Sequence, residues 1–182
     1  MLNAIEVILI CLVAQAAITD LTLRKIPNVL ILSGLVLALV LHLLAGPRWA
    51  PVSHWLAGAL AGFFLFLPLY LLRGMAAGDV KLMAMVGAFL GPDAAWQVAA
   101  LAYVIGGVLA VLRLSWGARR RDNWRTVSRN MAAICAPWLG RLRGLPLAPL
   151  SPEALGRASV GGIPYGVAVA LGTLAFVAWA HR

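Results

Sequence analysis

The chain has 182 residues, of which 63% are hydrophobic and only 12% charged, with a mean hydropathy of +0.92 and a formal net charge of +9. Soluble domains carry about 25% charged residues, and a water-soluble fold of this size has too little interior to hide so much apolar surface. A soluble enzyme, a disordered chain and a disulfide scaffold are excluded, which leaves an integral membrane protein.

In chain order, apolar runs separated by Gly, Pro or charge predict an all-α polytopic protein. Its six membrane-spanning helices fall near residues 3–21, 29–44, 54–72, 79–90, 94–114 and 160–180. The first Lys or Arg is Arg24, so the N-terminus lacks the positive region of a cleavable signal peptide and reads as a first span. Arg24-Lys25-Ile26-Pro27-Asn28 closes that span and opens the second. Pro27 fits the first turn of the new helix, where its missing N–H costs nothing. The segment 46–53, with Trp49, is expected to anchor at the interface. In the third span Gly58 and Gly62 stand four apart. This is a helix-packing spacing, which also suits the seating of one further helix.

The fourth span is the shortest. Residues 79–90 make about 18 Å of helix against a hydrocarbon core of about 30 Å. It is therefore expected to extend back through residues 74–78 or to lie where the bilayer is thinned. Residues 115–159 form one long loop, rich first in Arg and then in Pro, expected to lie on anionic lipid headgroups. The whole chain, 1–182, reads as a single membrane domain with that loop inside it.

Sorting Lys and Arg by loop leaves Arg48 and Arg182 on one side and the rest of the 15 on the other. The rich side is cytoplasmic by the positive-inside bias, so both termini are expected to be periplasmic. The same bias explains the net charge, and no nucleic-acid partner is expected. Cys11 and Cys135 form neither a metal nor a redox pattern.

The six acids separate by placement. Glu6 lies near the outer end of the first span, Asp93 in a short outer turn, and Asp122 and Glu153 in the long loop. Asp20 and Asp79 both fall at cytoplasmic ends of apolar spans. A carboxylate there carries a desolvation cost, about 2.5–3.5 kcal/mol at a helix centre and less toward the interface. Two such costs on one side suggest a use. The plainer alternatives are an Asp20–Arg24 pair and an Asp79 helix cap. Arg73-Gly74-Met75-Ala76-Ala77-Gly78 leads into Asp79, a small-residue run that permits close backbone approach.

Asp20 with Arg24-Lys25-Ile26-Pro27-Asn28, followed by Gly78-Asp79-Val80-Lys81-Leu82, resembles the type IV prepilin peptidases, which are membrane aspartic proteases of six to eight helices. Pro164-Tyr165-Gly166 is similar to that family's C-terminal signature. The resemblance implies that Asp20 and Asp79 are the catalytic pair, and that the enzyme removes leaders from prepilins or pseudopilins at the cytoplasmic face of a bacterial inner membrane. Lys25, Gly78 and Lys81 are candidate substrate contacts. Two departures stand out. The family's Gly-x-Gly-Asp is here Ala76-Ala77-Gly78-Asp79, and only a few residues separate the first two spans. The second departure implies the short, Tad-type form, which handles Flp-type prepilins without N-methyltransferase activity. No cofactor or metal is expected.

Hydrolysis by two carboxylates needs one ionised and one protonated. Helix ends suggest Asp79, near an N-terminus, as base and Asp20, near a C-terminus, as acid. The main alternative is a small ion- or proton-coupled transporter using the same acids. Transporter sites favour the midplane, however, and these acids sit at one face. A presenilin-like protease would need different motifs, and a non-catalytic assembly protein is the weakest alternative. Ser33 is expected to bond a backbone carbonyl, and His42, His54 and His181 lie away from the acids.

Overall fold

The computed structural model describes residues 3–45, 50–71, 74–115 and 165–182, and every element among them is helical. In chain order these are α1 (Ala4–Leu23), α2 (Asn28–Ala45), α3 (Ala50–Leu71), α4 (Ala77–Leu90), α5 (Pro92–Ser115) and α6 (Tyr165–Ala180). The chain divides into two compact units, Met1–Val108 with Ile163–Arg182, and Leu109–Gly162. All packing below lies within the first. Of the second, only the end of α5 is among the described residues. The long loop 116–159, Trp49 and Pro164 lie outside them.

Three helices are long and apolar enough to cross a membrane: α1, Val52–Leu71 of α3 and Pro92–Leu112 of α5. The shorter helices α2 and α6 are also apolar. All the elements match the predicted order, with local differences. Helix α3 begins at Ala50, so residues 50–53 are helical, and residues 46–49 lie outside the described residues. Pro27 precedes α2 instead of lying within its first turn; its carbonyl accepts the Leu30 N–H at 3.1 Å and so opens the helix.

Helix α4 shows the most consequential difference. It begins at Ala77 and does not run back through residues 74–76. Its 14 residues give about 21 Å of length. The reason it can be short is that it is enclosed by protein. Asp79, Val80 and every residue from Leu82 to Phe89 are buried, and α1, α2, α3 and α6 all pack on it. An enclosed helix has its surroundings supplied by neighbouring helices and need not span the lipid alone. The sequence fits this position, being small or apolar on all sides apart from buried Asp79 and exposed Lys81.

Glycines set the closeness of that packing. A methyl group added to Gly58 would run into the Gly87 carbonyl, one on Gly87 into the Gly58 carbonyl, and one on Gly62 into the Met83 carbonyl. The Gly58/Gly62 face of α3 is therefore filled by α4 and is not a seat for a substrate helix. On the other flank the Trp55 indole N–H donates to the Leu35 carbonyl at 3.1 Å, tying α3 to α2. Within α3, Pro68 removes the N–H that would serve the Phe64 carbonyl. The next carbonyl, Leu65, accepts the Tyr103 hydroxyl from α5.

Candidate active site

Asp20 occupies the last turn of α1. The helix ends at Arg24, a non-glycine residue in left-handed conformation (φ 52°), whose N–H donates to the Asp20 carbonyl oxygen at 3.0 Å. Residues 24–27 then turn directly into α2. The Asp20 side chain faces inward and is 8% exposed. Among the described residues no ion pair joins it to Arg24, which is exposed. Arg24 is nevertheless within electrostatic reach of Asp20, so the plain reading of the two as partners holds at longer range than an ion-pair contact.

Asp79 stands in the first turn of α4 and is 4% exposed. Its Oδ2 accepts the Ala76 N–H at 3.2 Å, satisfying one of the donors that a helix start leaves open. Asp79 does cap its helix, then, as the plainer alternative supposed. The same side chain is also buried, so capping does not exclude a chemical role. Ala76, where the family carries glycine, has φ −82° and ψ 154°, extended backbone that any residue adopts, and it is exposed. The substitution therefore introduces no backbone strain.

The two sequence motifs meet side by side. Gly78 packs on Ile26: a methyl at position 78 would lie 3.5 Å from the Ile26 Cβ, an ordinary contact. Lys81 Nζ donates to Asn28 Oδ1 at 3.1 Å. The corner after α1 and the start of α4 are thereby held together, and the Asp20 and Asp79 carboxylates lie close enough for their charges to act on each other. Lys25 is exposed on the corner. Of the candidate substrate contacts, Gly78 and Lys81 join the assembly that holds the acids, whereas Lys25 stands outside it.

A third element completes the arrangement. The start of α6 sits against Asp20, and the Gly166 N–H donates to Asp20 Oδ2 at 2.9 Å in a buried contact. Tyr165, half-buried, packs its ring on Gly106, where an added methyl would lie 2.7 Å from Cε1, and it is within electrostatic reach of Asp79. Sequence reasoning noted Tyr165 and Gly166 only as part of a signature and gave them no role. Nothing local in the sequence marks a backbone N–H as a partner for a side chain 146 positions away.

Two buried carboxylates, within electrostatic reach of each other, now have one oxygen each held by a backbone N–H. This equips the site for general acid–base chemistry on a neutral substrate. The remaining polar groups behave as bystanders. Ser33 donates to the Leu30 carbonyl at 3.0 Å, as expected. His42 and His54 pair their rings at 5.8 Å, and His181 meets Glu6 at 2.8 Å at the far end of α1 from Asp20.

Comparison with known proteins places this geometry in context. Residues 7–111 match the type IV leader peptidase family, a stretch that holds both aspartates. A prepilin leader peptidase/N-methyltransferase of Pseudomonas putida is 31% identical over 96 residues, covering 49% of this chain and 31% of that protein. The chain thus matches about a third of the length of this curated relative. No solved structure matches.

Proposed function

The chain belongs to the type IV leader peptidase family, and from that premise we propose that it is a membrane aspartic endopeptidase that removes the leader of Flp-type prepilins or pseudopilins at the cytoplasmic face of a bacterial inner membrane. Asp20 and Asp79 are the catalytic pair in this reading. The observation that carries it is their burial within electrostatic reach of each other, at the C-terminal end of α1 and the N-terminal end of α4, two helices remote in sequence.

In the proposed reaction one carboxylate is ionised and the other protonated. The ionised group takes a proton from a water molecule, which attacks the scissile carbonyl carbon. The protonated group donates to the carbonyl oxygen. Collapse of the tetrahedral intermediate breaks the C–N bond and passes a proton to the leaving amine. Because the charges interact, the proton belongs to the pair. The Gly166 and Ala76 N–H groups hold Oδ2 of each acid and leave Oδ1 for water and substrate.

Specialisation follows from the turn between α1 and α2. Only residues 24–27 separate these helices. We read this tight corner as leaving no inserted segment for a second activity, so peptidase action without N-methyl transfer is proposed. The skewed distribution of Lys and Arg supports six spans, with both termini periplasmic and the acids on the cytoplasmic side. Lipid surrounds the bundle, and Lys81 lies beside the acids where the polar leader of a prepilin would pass.

The test is co-expression of a tagged Flp-type prepilin with the wild type, Asp20→Asn and Asp79→Asn. Either substitution is expected to lower the rate of leader removal by about 10²–10⁴-fold, the range that one positioned acid or base contributes. Normal processing by either variant refutes the assignment. A purified enzyme that also methylates the new N-terminus refutes the restriction to peptidase action.

A further inference from the structure

We propose that Gly166 is a positioning residue for Asp20, and that the start of α6 is a third part of the catalytic machinery beside the two aspartate motifs. This rests on the peptidase reading above for its kinetic consequence, but its structural basis is independent of that reading. The Gly166 N–H donates to Asp20 Oδ2 at 2.9 Å, and the contact is buried. The glycine is required by space as well. A methyl at 166 would stand 2.8 Å from Asp20 Oδ2, 3.0 Å from its Cβ and 3.1 Å from its Cγ. All three atoms belong to the carboxylate arm itself. Asp20 sits on the final turn of α1 and Gly166 on the first turn of α6, so the backbone at both positions is helical and the Asp20 carboxylate arm is the part that must turn aside.

Position 166 therefore does two things at once. Its N–H fixes which carboxylate oxygen is committed, and its missing side chain fixes where the carboxylate lies. Neighbouring glycines do not share this property. Gly107 has nothing within 4 Å of an added methyl. Gly106 serves the Tyr165 ring, and Gly172 would meet the Ala102 backbone of α5. Among the described glycines, Gly166 is singled out by having Asp20 as its neighbour. Residues 7–111, which match the family, do not include it.

The proposal is tested with Gly166→Ala, using Gly107→Ala as the control, in purified full-length protein. The first readout needs no substrate. The Asp20 carboxyl resonance is followed in ¹³C-aspartate-labelled protein, assigned by its absence in Asp20→Asn. Its titration midpoint is expected to move in Gly166→Ala and to stay at the wild-type value in Gly107→Ala. An unmoved midpoint in Gly166→Ala overturns the proposal.

The second readout is cleavage of a prepilin junction peptide. A catalytic group displaced by about an ångström costs about 10²-fold in rate, so kcat is expected to fall by about that factor with KM nearly constant. The pH profile should also be displaced and not merely scaled down. A scaled but undisplaced profile signals fewer folded molecules and counts against positioning. If the wild type cleaves no prepilin, the peptidase reading falls while the resonance experiment still decides the role of Gly166.

Should Gly166→Ala fail to fold, Asp20→Gly is combined with it. Removing the whole side chain removes all three atoms that the new methyl meets, so the double variant is expected to recover folding. A double variant that stays unfolded places the defect elsewhere and overturns the proposal.

Discussion

At the scale of single residues, the two aspartates were legible because an acid beside an apolar run is expensive and because each lies within a recognisable string of neighbours. Their convergence was not, since nothing local to Asp20 or Asp79 states which helices pack together. The roles of Asn28 and Gly78 also emerge only in three dimensions, where Lys81 and Ile26 meet them. Arg24 illustrates a further cost that sequence conceals. Its left-handed backbone costs an ordinary residue about 1–2 kcal/mol, part of which glycine would return through its greater freedom when unfolded. Arg24→Gly is therefore expected to stabilise the protein by about 0.5–1 kcal/mol, measured by reversible unfolding in mixed micelles. An unchanged or lowered stability would show that the arginine side chain repays its backbone.

At the scale of elements, the order and type of the helices follow from hydropathy alone, and the ends follow from Gly, Pro and charge. The exception is α4, where the twelve-residue reading was close but its meaning was not. A length argument asks how a short helix crosses a bilayer; the fold answers by wrapping the helix in protein. Composition held the clue in residues 82–90, which carry no polar side chain on any face and set Ala84, Gly87 and Ala88 on one small-residue face. The crossing of α3 with α4 yields a contrast that can be measured. Added methyls at Gly58 or Gly87 meet rigid backbone, whereas one at Gly34 meets the flexible end of Met85. Gly58→Ala and Gly87→Ala are each expected to cost about 1–3 kcal/mol, and the pair less than the sum because both relieve the same contact. Gly34→Ala should cost under about 1 kcal/mol, as methionine re-packs readily. Equal losses at all three positions, read from the same unfolding transitions, would contradict this crossing.

At the scale of the molecule, α1 is held to α6 at both of its ends by different means. Near its C-terminus the buried Gly166 N–H grips Asp20. Near its N-terminus Glu6 accepts from the Asn3 N–H at 2.8 Å and meets His181 at 2.8 Å, in a partly exposed setting. Exposed ion pairs contribute about 0–1 kcal/mol, so Glu6→Gln or His181→Ala is expected to change stability by no more than that and to leave cleavage intact. A large loss of activity in either variant would mean that the two ends of α1 are coupled. Charge asymmetry is the sequence feature from which the sidedness of the molecule is proposed. The pairing of the first helix with the last was not legible, because both are largely apolar and no pattern on either names its partner.

One consequence concerns the order in which the protein is made. Asp20 and its backbone donor are 146 positions apart, and membrane helices emerge from the ribosome from the N-terminus onward. From residue 79 until α6 is made, the growing polypeptide carries both acids without the contact that orients one of them. Under the proposed function, a nascent chain is therefore expected to be slower by about 10²-fold until α6 docks.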